Sequence, residues 1–225
     1  MGECSSCPIR YKALELLTPE EEMLFEEGCT EVRFETGDKV VNEGAPVTHV
    51  VYLKKGVLKV CLRGPGGQRT ILKLLSPGGF VGIHDVFSAS QHRCAAIAVT
   101  PATACFINRD VFIRLVRTNG AFALEMLQYV SQEEIEYLHR FIHLLEKQVT
   151  GRVADMILYF ANHIFGSDTF PLNITREELG RMIGASRESV SRILKELRQD
   201  NILRWDNRTL EILNKTLLEK ISRAG

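Results

Sequence analysis

Apolar positions change their period three times along this chain. From Glu31 to about Phe112 they form short β-rich runs: Val47–Leu53, Val57–Leu62, Thr70–Leu75, Ala95–Val99 and Thr103–Ile107. Gly or Pro separates them at Gly37, Gly44, Gly56, Gly64, Gly67, Pro77, Gly79 and Pro101. Regular short strands with such punctuation predict a barrel, sandwich or jelly roll. Ahead of them, Thr18-Pro-Glu-Glu-Glu22 reads as a helix start, with an N-cap, Pro in the first turn and acids at the positive dipole end. From residue 120 to 147 the spacing turns helical. Leu124, Gln128, Ser131, Ile135, Leu138, Ile142 and Leu145 follow steps of four and three, a heptad seam with two polar interruptions. Such a helix dimerises or packs on its own domain; dimerisation is the favoured reading. Val149-Thr-Gly-Arg152 then reads as a hinge into an amphipathic helix over Val153–Phe165, and Gly166–Pro171 as a loop.

The last third carries the sharpest pattern. Thr175 with Glu178 three residues on makes a capping box, and Leu179, Met182 and Ile183 recur at helical spacing. Gly184 stands where a left-handed residue ends a helix. Ser186 caps a second helix, whose apolar stripe is Val190, Ile193, Leu194 and Leu197. Arg187, Glu188, Ser191 and Arg192 fall on the opposite face. Arg pairs bidentately with guanine, Glu accepts from cytosine N4, and Ser bonds more permissively, so this face suits base edges in a major groove. The competing reading is a solvated face of helix-stabilising charges. Thr175, Arg176 and Ser186 at the two helix starts join the expected DNA contacts. Ile202–Trp205 and Thr209–Leu213, with Asp206-Asn-Arg208 between them, predict a β-hairpin wing. Arg204 and Arg208 there either touch phosphates or are ordinary solvated charges.

Composition narrows the classes without choosing among them. The 225 residues, 45% hydrophobic and 25% charged, fit a globular chain of two modest domains. Formal net charge is zero, so any DNA affinity must come from a local patch. No run of about 18 apolar residues exists, which argues against a membrane span. The N-terminus lacks an apolar signal core, so a cytoplasmic location is expected. Cys4, Cys7, Cys29, Cys61, Cys94 and Cys105 are too scattered for a disulfide scaffold. No Gly-x-Ser-x-Gly, Walker loop, His-x-His or catalytic Cys-His arrangement is present, so no enzyme is expected.

The order of these parts resembles the Crp/Fnr family of bacterial transcription regulators. The resemblance rests on Glu43-Gly44, Tyr52-Leu-Lys-Lys-Gly56-Val-Leu-Lys-Val60, Leu75-Ser-Pro-Gly-Gly79-Phe-Val-Gly82, Val149-Thr-Gly-Arg152 and Gly184-Ala-Ser-Arg-Glu-Ser-Val-Ser-Arg-Ile-Leu194. It implies an α+β chain: an N-terminal β-roll (a jelly roll of cyclic-nucleotide-binding type) over residues 1–118, a long dimerisation helix over 119–147, and a winged helix-turn-helix over 148–225. It further implies a homodimer on palindromic promoter DNA, RNA polymerase as a partner, and a small-molecule effector in the β-roll. Arg187, Glu188 and Arg192 match base-contacting positions of the cyclic-AMP-receptor branch; Glu188, Ser191 and Arg192 match those of the oxygen-sensing branch.

The effector is less legible. The family's cyclic-nucleotide pocket has a Gly-Glu pair, an Arg-Ser/Thr pair ten residues later and a Thr-Ser pair on the long helix. The matching positions here are Gly82-Ile83, Arg93-Cys94 and Tyr137-Leu138. Arg93 retains phosphate-binding chemistry. Ile83 cannot accept a hydrogen bond and Cys94 is a poor donor, so cyclic AMP is disfavoured. Another anion at Arg93, or a structural ion pair there, stays open. Tyr137 and Leu138 are the expected transmitters of β-roll occupancy to a hinge near Gly151. Val81-Gly-Ile-His-Asp-Val86 resembles the oxygen-sensing branch, which holds an iron–sulfur cluster on N-terminal cysteines and one distant cysteine. Cys4, Cys7 and Cys105 match three ligand positions, but Ala13 stands at the fourth. The rival functional class is a nucleotide- or anion-binding sensor module that acts on a protein partner without binding DNA.

Overall fold

The computed structural model describes residues 12–64, 66–206 and 209–225. They fall into two compact units, one running to Gly66 and including Lys73–Glu136, the other of Gly67–Leu72 and Tyr137–Gly225.

In the first unit, helix α1 (Pro19–Glu27) begins on the capping box of Thr18 and Glu21. Eight strands follow among the described residues: β1 (Cys29–Phe34), β2 (Lys39–Val41), β3 (His49–Lys55), β4 (Leu58–Arg63), β5 (Arg69–Leu75, whose first four residues are assigned to the other unit), β6 (Phe80–Val81), β7 (Cys94–Ala98) and β8 (Ala102–Asn108). They form two four-stranded sheets, ordered β1-β8-β3-β6 and β2-β7-β4-β5, which is the expected jelly roll. The short helix α2 (Ile83–Ser88) lies between β6 and β7 in the chain. Val51, Leu53, Leu58, Val60, Ala96, Ala98 and Ala104 fill the space between the sheets. A second cluster, around Tyr52, Phe80, Ile83, Phe112, Leu115, Phe122 and Met126, joins one sheet to α3 (Arg109–Thr118) and the start of α4 (Gly120–Glu146).

Helix α4 has two apolar sides. Phe122 and Met126 are buried in the β-roll core, with Tyr129 and Val130 packed beside them. On its other side the expected seam lies open: Leu124, Ile135, Leu138, Ile142 and Leu145 are exposed, Leu145 to 70%. Leu127 and Phe141 are also exposed on this helix, beyond the residues that the heptad spacing selects.

In the second unit, the expected hinge at Val149-Thr-Gly-Arg152 is instead the first turn of helix α5 (Val149–Tyr159), with Gln148 as N-cap. Gly151 is buried there, and a Cβ on it would meet Gly225 atoms at 2.8–3.0 Å. Close packing against the end of α8 (Lys215–Ala224), not bending, explains this glycine. Lys147 reinforces the junction: its Nζ donates to Asp155 Oδ1 at 2.9 Å and to the Ser222 carbonyl at 2.8 Å. A π-helical turn (Phe160–Phe165) continues α5. Strand β9 (Thr169–Pro171), in what the sequence reads as a loop, pairs with β11 (Thr209–Ile212), which pairs in turn with β10 (Leu203–Asp206). The wing is therefore three-stranded.

Candidate nucleic-acid interface and effector site

Helices α6 (Arg176–Met182) and α7 (Arg187–Gln199) form as their local sequence dictates. Thr175 Oγ1 accepts from Glu178 N–H at 3.1 Å, and Glu178 Oε2 accepts from Thr175 N–H at 2.9 Å. Ser186 Oγ accepts from Ser189 N–H at 3.1 Å. Gly184 has φ +62°, the left-handed geometry its position demands. Gly180, which sequence reasoning passes over, closes the angle between the helices. Its carbonyl accepts the Ala185 N–H at 2.8 Å, and a Cβ on it would lie 2.6 Å from the Ala185 carbonyl oxygen. We expect Gly180→Ala to lower stability by about 1–3 kcal/mol, the cost of overpacking a tight contact. A melting temperature equal to wild type would contradict that.

Val190, Ile193, Leu194 and Leu197 are all buried, which turns the opposite face of α7 outward. Arg187, Glu188 and Arg192 are exposed and Ser191 is half-buried among them. Arg192 Nη1 donates to Glu196 Oε1 at 2.9 Å, with both side chains largely in solvent. Such a surface pair is worth little, so Arg192 is available to a stronger acceptor. Thr175 and Ser186 are occupied as caps. Arg176 lies over the Trp205 ring at 5.3 Å, tying the start of α6 to the wing. Arg204 pairs with Glu211 across the hairpin. Arg208 lies outside the described residues.

The β-roll positions divide into two groups. Gly82 has φ +83° and begins α2, and Ile83 is 1% exposed, within the apolar core. A side chain aimed into that core cannot act as the ribose acceptor of the family pattern. Asp85, buried in the same helix, accepts the Arg93 backbone N–H at 3.2 Å, and its other oxygen lies 3.9 Å from Arg93 Nε. The Arg93 side chain remains 65% exposed. Burial pushes the Cys94 thiol above its usual range, and the neighbouring charge of Asp85 adds to this. Cys94 is therefore a neutral, weak donor. Tyr137 and Leu138 belong to the other unit, where Arg140 lies over the Tyr137 ring at 4.9 Å and Leu138 is exposed.

One polar cluster was not legible in the sequence. Glu133, on α4, meets Lys73 of β5, His84 of α2 and Tyr129 of α4. Oε1 pairs with Lys73 Nζ and accepts from Tyr129 Oη at 2.7 Å; Oε2 lies 3.2 Å from His84 Nε2. Tyr129 Oη also accepts the Phe80 N–H at 2.9 Å. Burial alone would raise the Glu133 carboxyl. The hydrogen bond from His84, the Lys73 charge and the Lys73 and Tyr129 hydrogen bonds outweigh it and hold the carboxyl at about 2. The folded value thus lies below that of an unfolded glutamate. The stabilisation is fully present above about pH 5 and is lost as pH falls toward 2. We expect Glu133→Gln to flatten the acid limb of the stability profile, removing on the order of 2 kcal/mol of the loss between pH 6 and pH 3. Parallel limbs for the two proteins in chemical denaturation would contradict this.

Of the cysteines matched to iron–sulfur ligand positions, Cys105 lies among the described residues. Cys4 and Cys7 lie outside the described residues. Cys105 is buried in the β-roll core, and Ala13, at the fourth ligand position, is a buried methyl in the same cluster. Among the described residues no three His, Cys, Asp or Glu side chains converge as metal ligands. His143, whose spacing from His139 is suited to a metal, instead lies 3.1 Å from Asp155. Among the described residues no helix is long and apolar enough to cross a membrane.

A β-roll followed by a helix-turn-helix with an outward basic face defines a class: regulators that join a sensing domain to a DNA-reading one. Residues 31–119 match the cyclic nucleotide-binding domain and residues 151–221 match the Crp-like helix-turn-helix domain. The cAMP-activated global transcriptional regulator CRP of Salmonella typhimurium is 26% identical over 188 residues, covering 82% of this chain and 90% of that protein. Its counterpart in Pasteurella multocida is 28% identical over the same span. The solved structure of FixK2 from Bradyrhizobium japonicum shares the fold, with a TM-score of 0.75 at 22% identity, covering 86% of this chain and 96% of that one. The chain belongs to the Crp/Fnr family of transcription regulators.

Proposed function

We propose that this chain regulates transcription as a cytoplasmic homodimer that binds palindromic promoter sites through α7, under control of the β-roll, and recruits or obstructs RNA polymerase there. It is not an enzyme in this reading. The observation that carries it is the division of α7: four apolar residues buried on one side, Arg187, Glu188, Ser191 and Arg192 presented on the other. Glu188 and Arg192 read one G·C pair together, the carboxylate accepting from cytosine N4 and the guanidinium donating to guanine. Arg176, and the exposed residues beside the caps Thr175 and Ser186, meet flanking phosphates. The open seam of α4 supplies the second subunit. The three domains are residues 1–118, 119–147 and 148–225.

Cyclic AMP is not the effector in this reading. Ile83 sits in the core, Cys94 is a neutral thiol and Leu138 offers no hydrogen bond, which leaves Arg93 as the charged side chain at the positions matching the family pocket. An anionic effector at Arg93, relayed through Tyr137 and Leu138, is the alternative control. We expect saturating cyclic AMP to change DNA affinity less than about twofold and to leave the melting temperature unmoved. A large gain in either would overturn this part.

Binding of fluorescent duplexes from the protein's own upstream region, titrated against scrambled duplexes, tests the whole. The proposal expects a preference of about a thousandfold or more for a specific site. Equal binding to both duplexes, or none by a folded dimer, would favour a sensor that acts on a protein.

A further inference from the structure

Glu133 reaches from the long helix to three groups that together form a site for an anion. Lys73 Nζ and Glu133 have side chains only 10% and 12% exposed, so the pair is largely out of water. A buried ion pair is stabilising only when its remaining lone pairs are satisfied. Here they are: one oxygen takes Lys73 and the Tyr129 hydroxyl, the other faces His84 Nε2. Lys73 and His84 lie 60 and 49 residues from Glu133 in sequence, so nothing local forces this meeting. His84 directly follows Gly82-Ile83, the pair whose family counterpart turns a carboxylate toward a ligand. In this chain the isoleucine turns into the core, and the next residue instead receives a carboxylate from the protein itself.

We propose that Glu133 is an intramolecular ligand: its carboxylate fills the cationic site made by Lys73, His84 and Tyr129 and holds α4 to the β-roll without a small molecule. This deepens, and rests on, the reading of the β-roll as the sensing domain. The chemical class of the site's occupant is a carboxylate, and a small free carboxylate enters only where Glu133 has left.

Removing the side chain while keeping the site tests this. Full-length Glu133→Ala leaves a cavity lined by Lys73, His84 and Tyr129. Its melting temperature is measured against sodium acetate, with sodium chloride at matched ionic strength as the control. The expected result is a lowered melting temperature that acetate, but not chloride, raises saturably; wild type and Lys73→Gln/Glu133→Ala show no acetate-specific gain. An acetate response equal to that of chloride in Glu133→Ala, or an equal response in all three proteins, would overturn the proposal. If Glu133→Ala does not fold, a double-mutant cycle of Lys73→Gln and Glu133→Gln decides. Strong coupling, with the double variant no less stable than either single one, supports the tether, and additive losses exclude it. Neither measurement uses DNA. Failure of the tether is thus distinguishable from failure of the DNA-binding reading, which would appear as loss of specific DNA binding in the wild type.

Discussion

Replacing Leu138 and Leu145 together with glutamate is expected to yield a folded monomer whose affinity for a duplex with two half-sites falls by about 100-fold or more. Both residues are more than half exposed on α4, as are Leu124, Leu127 and Phe141 on the same helix. Apolar side chains at this density on one helix are unusual on a monomer and mark a surface that is covered in use. The seam has the spacing of a two-helix coil, in which each such residue inserts between four of its partner. A charge at two of these positions would face its own symmetry copy, so repulsion adds to the lost burial. The β-roll side of α4 keeps Phe122 and Met126 buried, so the substitutions do not touch that core. Light scattering coupled to size exclusion gives the mass, and fluorescence anisotropy gives the affinity. A dimer of unchanged affinity would show that α4 is not the interface.

The second large effect is expected at Arg192. Arg192→Ala should remove about 1–3 kcal/mol of discrimination between the preferred site and one with the central G·C pair changed. Because Arg192, among the described residues, pairs with exposed Glu196, its removal should hardly alter folding. A loss of specificity would then be a loss of readout and not of structure. Glu188→Gln should relax selection at the cytosine of the same pair. Equal weakening on preferred and scrambled DNA would mean that Arg192 meets phosphate alone.

What could be read in the sequence is what local interactions decide. Both helix-turn-helix caps, the Gly184 turn and the buried stripe of α7 depend on residues within a few positions of one another. The runs that became β3, β4, β5, β7 and β8 carry enough consecutive apolar residues to announce themselves. β1 escapes notice because its six residues, Cys-Thr-Glu-Val-Arg-Phe, include two charges and leave none fully buried. β9 is three residues ending in Pro171, and exists through its pairing with β11 some 40 residues on. Gly151 looks like a hinge when glycine is judged by propensity; only the approach of Gly225 explains it as a packing contact inside a helix. The Glu133 cluster is long-range in the same way. Nothing in the spacing of Lys73, His84, Tyr129 and Glu133 predicts that three elements would bring them together.

Selection of bound sequences from a random pool of double-stranded DNA by the purified wild-type protein tests base reading by α7 directly. The expected product is an inverted repeat whose half-sites are about 10–10.5 base pairs apart centre to centre, each with a fixed G·C pair that disappears when Arg192 is alanine. A pool that stays random, or a motif with no two-fold symmetry that Arg192→Ala leaves unchanged, would contradict it.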